Sequence, residues 1–273
     1  MRKFLYALFA VIAVAATLWA PSASAANTTN TANTNTANTD NTVDAAETAA
    51  AANHTITFVN RTGEKIWIGS GVNADGSRNL TGLPTLQPGQ SATITIPESS
   101  APHHWRGKFF ARQDCDGAPG STFRCRVADC GPMPDRCTHG EQPASLAEFN
   151  FARHDPLAPW YNVSYVNAFS LPITIEPRDW SAPPGSPECQ SLGCAQNLLP
   201  YCPPQNLTRW PDGRPMLCTN PNRDAPTDYS RALASRCPRA YAWSGHDREP
   251  GNQLVRQCRK CSGFNVVFHR ASR

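Results

Sequence analysis

The chain has 273 residues, a formal net charge of +4, 25 prolines and 11 cysteines. The basic excess is mild and spread along the chain, without the dense basic run of a nucleic-acid binder. All the cysteines lie after residue 114, and in an exported chain they read as a disulfide framework.

Residues 1–25 read as a secretory signal peptide. Arg2 and Lys3 precede an apolar run from Phe4 to Ala20, and Ala23-Ser24-Ala25 supplies a small-residue cleavage site. An uncleaved anchor is the alternative, but the run falls slightly short of the ~20 apolar residues of a membrane span. Nothing downstream is apolar enough for a second span, so a secreted, extracellular protein is expected. Residues 26–53 repeat Asn, Thr and Ala with no aromatic residue and no Lys or Arg. Such a segment has too little apolar surface to offset the entropy of ordering it, and it reads as a disordered linker.

The folded part is expected over 54–273. HTITFVNRTGEKIWIGSG alternates and is rich in β-branched and aromatic residues, with Arg61-Thr62-Gly63-Glu64 as a turn, so it reads as a hairpin. Pro88-Gly89 marks a turn before the alternating Ser91 to Ile96. HHWRGKFFARQDC predicts a strand ending at Cys115, ASLAEFNF another, and WYNVSYVNAFSLPITIEP a strand interrupted between Ala168 and Pro172. FNVVFHR closes the chain. Many short strands with closely spaced turns predict an antiparallel β-sandwich or flattened barrel, mainly β. Residues 54–178 and 238–273 are assigned to it, with a disulfide hairpin at 115–140. Between 179 and 237 the chain is dense in Pro, Cys, Asn and Arg, with one helix predicted in TDYSRALASRC, capped by Thr227. That stretch reads as a smaller lobe held by disulfides.

These segments resemble the thaumatin-like proteins. ITFVNRTGEKIW, LQPGQSATITIP, WRGKFFARQDC, FRCRVADCGPMPDRC, PASLAEFNF, WYNVSYVNAFSLPITIEP, YSRALASRCPRAYAW and FNVVF occur in family order and cover most of 54–273. The chain departs from the family where a disulfide usually joins the first strand to the last: Thr62 and His269 stand in the two cysteine places. Two further bridges of the smaller lobe are also missing, so the chain is similar to shortened, reduced-disulfide members such as those of bacteria. The resemblance implies the pairs Cys115–Cys125, Cys130–Cys137, Cys189–Cys258, Cys194–Cys237 and Cys202–Cys218, and leaves Cys261 as the free thiol.

It also implies a cleft lined by one Arg, one Glu and two Asp. The Arg falls on Arg112 and the Glu on Glu148, whereas Asn162 and Asn167 stand in the Asp places. Residues five apart on a regular strand face opposite sides, so pairing the two asparagines needs a bend near Val166 that the resemblance alone supplies. Glycoside hydrolysis usually needs two carboxyl groups, and an amide cannot transfer a proton, though it hydrogen-bonds sugar hydroxyls well. Glu148 is then the sole catalytic candidate, with Arg112 expected to hold its carboxylate in the charged form. Plainer alternatives stand beside these: an Arg112–Glu148 structural salt bridge, and asparagines that cap the bend. Trp160, Tyr161 and Phe169 read either as sugar-stacking or as core.

A lone Cys258-x-x-Cys261 lacks the second pair a zinc site needs, and no G-x-S-x-G or H-E-x-x-H occurs. No metal or cofactor is expected. The resemblance implies a secreted, non-catalytic protein that binds β-1,3-glucan or a related polysaccharide, with an antifungal or defence role. A weak endo-β-1,3-glucanase and an inhibitor of secreted hydrolases are the alternatives. A monomer is the working expectation.

Overall fold

The computed structural model describes residues 53–73, 77–98, 105–152 and 155–271. The expected signal peptide and almost all of the expected linker lie outside the described residues. In chain order the strands are β1 (Thr55–Arg61), β2 (Ile66–Val72), β3 (Thr85–Leu86), β4 (Ser91–Thr95), β5 (Arg106–Asp116), β6 (Arg124–Val127), β7 (Leu146–Asn150), β8 (Trp160–Ser164), β9 (Ala168–Phe169), β10 (Ile173–Arg178), β11 (Leu192–Gly193), β12 (Leu207–Arg209), β13 (Pro215–Thr219), β14 (Arg256–Gln257) and β15 (Gly263–His269). One α-helix, α1 (Asp228–Ala234), lies between β13 and β14. Thr227 caps it: its Oγ1 accepts the Ser230 N–H, and the Ser230 hydroxyl in turn accepts the Thr227 N–H.

Two sheets face each other. One runs β11-β10-β15-β1-β4, the other β14-β8-β7-β5-β2-β3 with β6 on β5, and a small third sheet runs β12-β13-β9. Alternation in β1 turns Ile56 and Phe58 inward. Phe58 meets Phe109 of the opposite sheet with ring centres 5.0 Å apart, and Phe149 meets Phe264 at 5.3 Å. Leu198, Leu199, Tyr229 and Leu233, from the stretch read as a smaller lobe, join the same buried cluster as these aromatics. Burying such aromatic area dominates the energetics of a core.

The hairpin expected at 54–71 does not form. β1 pairs with β4 and, in parallel, with β15, whereas β2 pairs with β3 and β5 in the other sheet. The turn between them is therefore an arch from one sheet to the other. β2 is buried from Ile66 to Ser70, so it needs neighbours on both edges and cover on both faces, which a two-stranded hairpin cannot supply. Asn60 holds the arch: its Nδ2 donates to the carbonyls of Glu64 and Leu86, and its Oδ1 accepts the Thr62 N–H. Gly63 sits at φ +87°, where a side chain would also strike the Arg270 guanidinium.

Five disulfides close: Cys115–Cys125, Cys130–Cys137, Cys189–Cys258, Cys194–Cys237 and Cys202–Cys218. Among the described residues Cys261 is the free cysteine. Where the family's first-to-last bridge is absent, Arg61 lies beside His269 in the parallel ladder, and the His269 Nε2 meets the Thr174 Oγ1 at 2.9 Å.

Candidate functional site

The site grows from three neighbouring strands. Lys108 on β5 lies opposite Glu148 on β7, which lies opposite Asn162 on β8. Their chain neighbours Phe109, Phe149 and Tyr161 are fully buried in the sandwich, so the strand period of two puts this polar row on the outer face of the sheet. One row along, Arg106 and Trp160 flank Asn150 on the same face. This face is the floor of a cavity of about 350 Å³. Beyond β8 the chain turns through Val166 and Asn167, held where Asn220 donates its backbone N–H to the Asn167 carbonyl and its Nδ2 to the Val166 carbonyl. Asn162, Asn167 and Glu148 thus line one cavity, with Arg223, Tyr241 and Ser244 also among its lining residues.

Arg112 lies elsewhere. It stands four residues beyond Lys108 on β5, about 13 Å along a strand, and is fully buried. Its Nη1 donates to the Met133 carbonyl at 2.6 Å and its Nη2 to the Gly131 carbonyl at 2.8 Å, with Asp129 at 3.3 Å. The guanidinium packs 4.9 Å from the Phe123 ring centre. Arg112 therefore ties the 129–133 segment to the sheet and is absent from the lining of the Glu148 cavity. Tyr161 and Phe169 are corrected too. Both are fully buried, Tyr161 donating its hydroxyl to the Gln190 carbonyl at 2.6 Å and Phe169 packed edge-on against Tyr165. Of the three aromatics singled out in the sequence, Trp160 is the one that reaches the cavity.

Lys108, not Arg112, is the cation beside Glu148, and the consequence for the carboxyl is opposite in sign to the one expected. Burial raises the Glu148 pKa above the usual carboxylate range and outweighs the downward pulls of Lys108, of the Asn162 hydrogen bond and of Arg223. Lys108 is shared with Glu141, at 2.5 Å, and Glu141 adds to the upward push. Among the described residues Glu148 is the one carboxyl group lining this cavity. Asn162 is 5 % exposed; its amide hydrogen-bonds Glu148, while its Oδ1 is buried with no hydrogen-bond partner. The Tyr241 hydroxyl is held neutral by burial and by Asp247 and Glu148 nearby.

Chemically, the cavity offers amides, hydroxyls, one carboxyl whose pKa burial raises, and the cations Lys108 and Arg223. Sequence reasoning missed Lys108, Arg223, Tyr241 and Ser244. Lys108 had a usable signal, since Arg106, Lys108 and Arg112 recur on one strand face. Arg223 and Ser244 sit in turns and Tyr241 in a lone β-bridge to Ser164, and no local pattern encodes their approach to β7 and β8.

A two-sheet sandwich with a polar cavity on the outer face of one sheet defines the class of protein. Residues 60–270 match the Thaumatin family, and the chain belongs to it. Thaumatin-like protein 1 of Pyrus pyrifolia is 29% identical over 223 residues, covering 74% of this chain and 87% of that protein. A protein of Prunus avium named glucan endo-1,3-beta-glucosidase is 27% identical over 216 residues, covering 71% and 83%. In fold, the chain is similar to a laminaripentaose-producing β-1,3-glucanase solved with laminaritetraose, at a TM-score of 0.53 and 13% identity, covering 81% of this chain and 99% of that one.

Proposed function

We propose that this protein is exported and binds a neutral polysaccharide of the β-1,3-glucan class in the Glu148 cavity without cutting it, in a defence-type role. The observation that carries the reading is the orphaned Asn162 Oδ1. Buried polar groups are almost always paired, and leaving one unpaired costs about 1–3 kcal/mol. Here the amide is fixed by Glu148, and the unused carbonyl oxygen is an acceptor for a ligand hydroxyl. A sugar supplies such hydroxyls, and the lining supplies several more partners for them. The five disulfides and the Ala23-Ser24-Ala25 cleavage signal support export. The name of the Prunus avium relative supports the glucan class.

Hydrolysis is the second reading, favoured by one observation: a raised carboxyl pKa is what a general acid needs. It requires a second carboxyl, and Asp247, which hydrogen-bonds Tyr241, lines an adjoining cavity rather than this one. The deciding experiment incubates the purified protein with insoluble β-1,3-glucan, measuring protein retained and reducing sugar released. Retention without release is expected. Steady release that disappears in Glu148→Gln would establish the enzyme instead.

A further inference from the structure

The Glu148 cavity has a neighbour at Trp160. A second cavity, of about 520 Å³, lies beyond it, and Trp160 and Val255 line both. Trp160 precedes Asn162 by two residues on β8, so the two side chains stand on one sheet face about 7 Å apart along the strand. The indole is fixed in place. Its Nε1–H donates to Asp155 Oδ2 at 3.1 Å, and the Arg106 guanidinium packs 5.3 Å from the ring centre.

Beyond Trp160 the lining is two-sided in character. Leu157 and Val255 leave apolar surface in water, at 57% and 39% exposure, where most large apolar side chains of this chain are buried. Asn252, Gln253 and Arg256 bring polar groups to the same space. Gln253 accepts from Arg256 Nη1 at 2.8 Å, while Arg256 Nε is buried with no partner. A pyranose ring is two-sided in the same way, with C–H groups on its faces and hydroxyls around its edge. A lipid tail would leave the buried Arg256 Nε without an acceptor and would offer nothing to the polar rim, and a free anion would make no use of Leu157, Trp160 and Val255.

We propose that the second cavity is a further subsite for the same polysaccharide, with one sugar ring packed against Trp160 and its neighbours running over Asn162 toward Glu148. This rests on the polysaccharide reading above and adds to it a polarity and a length: the protein measures several consecutive sugar units, not one. Two cavities that share Trp160 and Val255 as a common wall select a polymer over a small sugar as the ligand.

The experiment titrates linear β-1,3-gluco-oligosaccharides of two to seven units into wild type, Trp160→Ala, Trp160→Phe and Asn162→Ala. Wild-type affinity should climb by about tenfold or more between the short and the long oligomers, as an added aromatic contact provides. In Trp160→Ala the long oligomers should lose most of that length-dependent gain, a larger fold-loss than the short ones suffer. Trp160→Phe should recover part of the gain, and Asn162→Ala should weaken every length alike. A wild-type affinity independent of length overturns the subsite, as does a Trp160→Ala loss equal at all lengths. If Trp160→Ala does not fold, Val255→Asp with Gln253→Ala tests the far rim by the same length comparison. No binding at any length, with no retention on insoluble glucan, overturns the polysaccharide reading itself. Retention on the insoluble polymer with length-independent oligomer affinity overturns only the subsite.

Discussion

Asn162 stands directly across the β7–β8 ladder from Glu148, with its amide bonded to the Glu148 carboxyl and its carbonyl oxygen unpaired. The family pattern places an acid at this position, and here an amide removes the like-charge neighbour that the half-buried Glu148 would otherwise face. The pair can therefore accept and donate hydrogen bonds without a second negative charge in the cavity.

Asn162→Ala should weaken retention on insoluble β-1,3-glucan by about 1–3 kcal/mol, the range for losing a buried hydrogen-bond partner. Asn162→Asp together with Asn167→Asp should do something different. Two new carboxyls beside Glu148 raise at least one pKa further and supply the missing second acid. Reducing sugar released by the double variant and not by wild type is the expected result, read from the same assay.

Glu148 makes stability depend on pH. Its folded pKa lies above its unfolded one because of burial, so the folded state binds the proton more tightly. Below the unfolded pKa both states are protonated and no cost arises. As pH rises through the folded pKa, the native state must hold a desolvated charge and stability falls. Glu148→Gln should therefore raise the melting temperature at pH 7, with the advantage shrinking to nothing near pH 4. Thermal melts across that range, with an unchanged difference at both ends, would contradict the assignment.

Arg112 should behave as a structural residue. Arg112→Met removes the side-chain donor to the Met133 and Gly131 carbonyls and leaves Asp129 Oδ1 with the Cys125 N–H alone. Removing one partner of such a buried arrangement costs about 3–5 kcal/mol. Denaturant unfolding should show that loss, while the folded fraction retains its affinity for glucan. A loss of binding without a loss of stability would return Arg112 to the cavity.

The Cys261 thiol is half-buried, donates to the Cys258 carbonyl at 3.1 Å, and has its pKa pushed up to about 12, chiefly by burial. At pH 8 the thiolate is then roughly one part in ten thousand, far below the share in a free cysteine. Alkylation should be slow in the native protein and fast after unfolding, giving one labelled cysteine, at 261. Label at Cys258 in non-reduced protein would mean that Cys189 pairs with Cys261 instead.

The strands were legible because alternation reports burial locally. Ile56 and Phe58 had to face a core, and Thr227 had to start a helix, wherever those elements came to rest. The disulfide pairs followed from family resemblance, and the five bonds close between the same cysteines. Partners were not legible, since pairing depends on residues far away in the chain. Nothing in NRTGEK distinguishes a hairpin turn from the arch that sends β1 to β15 and β2 to β5; the need to cover both faces of β2 decides it. Arg112 and Lys108 lie on one face of one strand, and the sequence alone cannot say which meets Glu148. Strand register decides for Lys108, and the carbonyls of 131 and 133 draw Arg112 away, because a buried guanidinium goes where acceptors already wait. The cavity itself belongs wholly to tertiary structure: its floor is three strands and much of its wall comes from Arg223, Tyr241, Ser244 and Val255, far beyond β8 in the chain, brought together only when the sandwich closes.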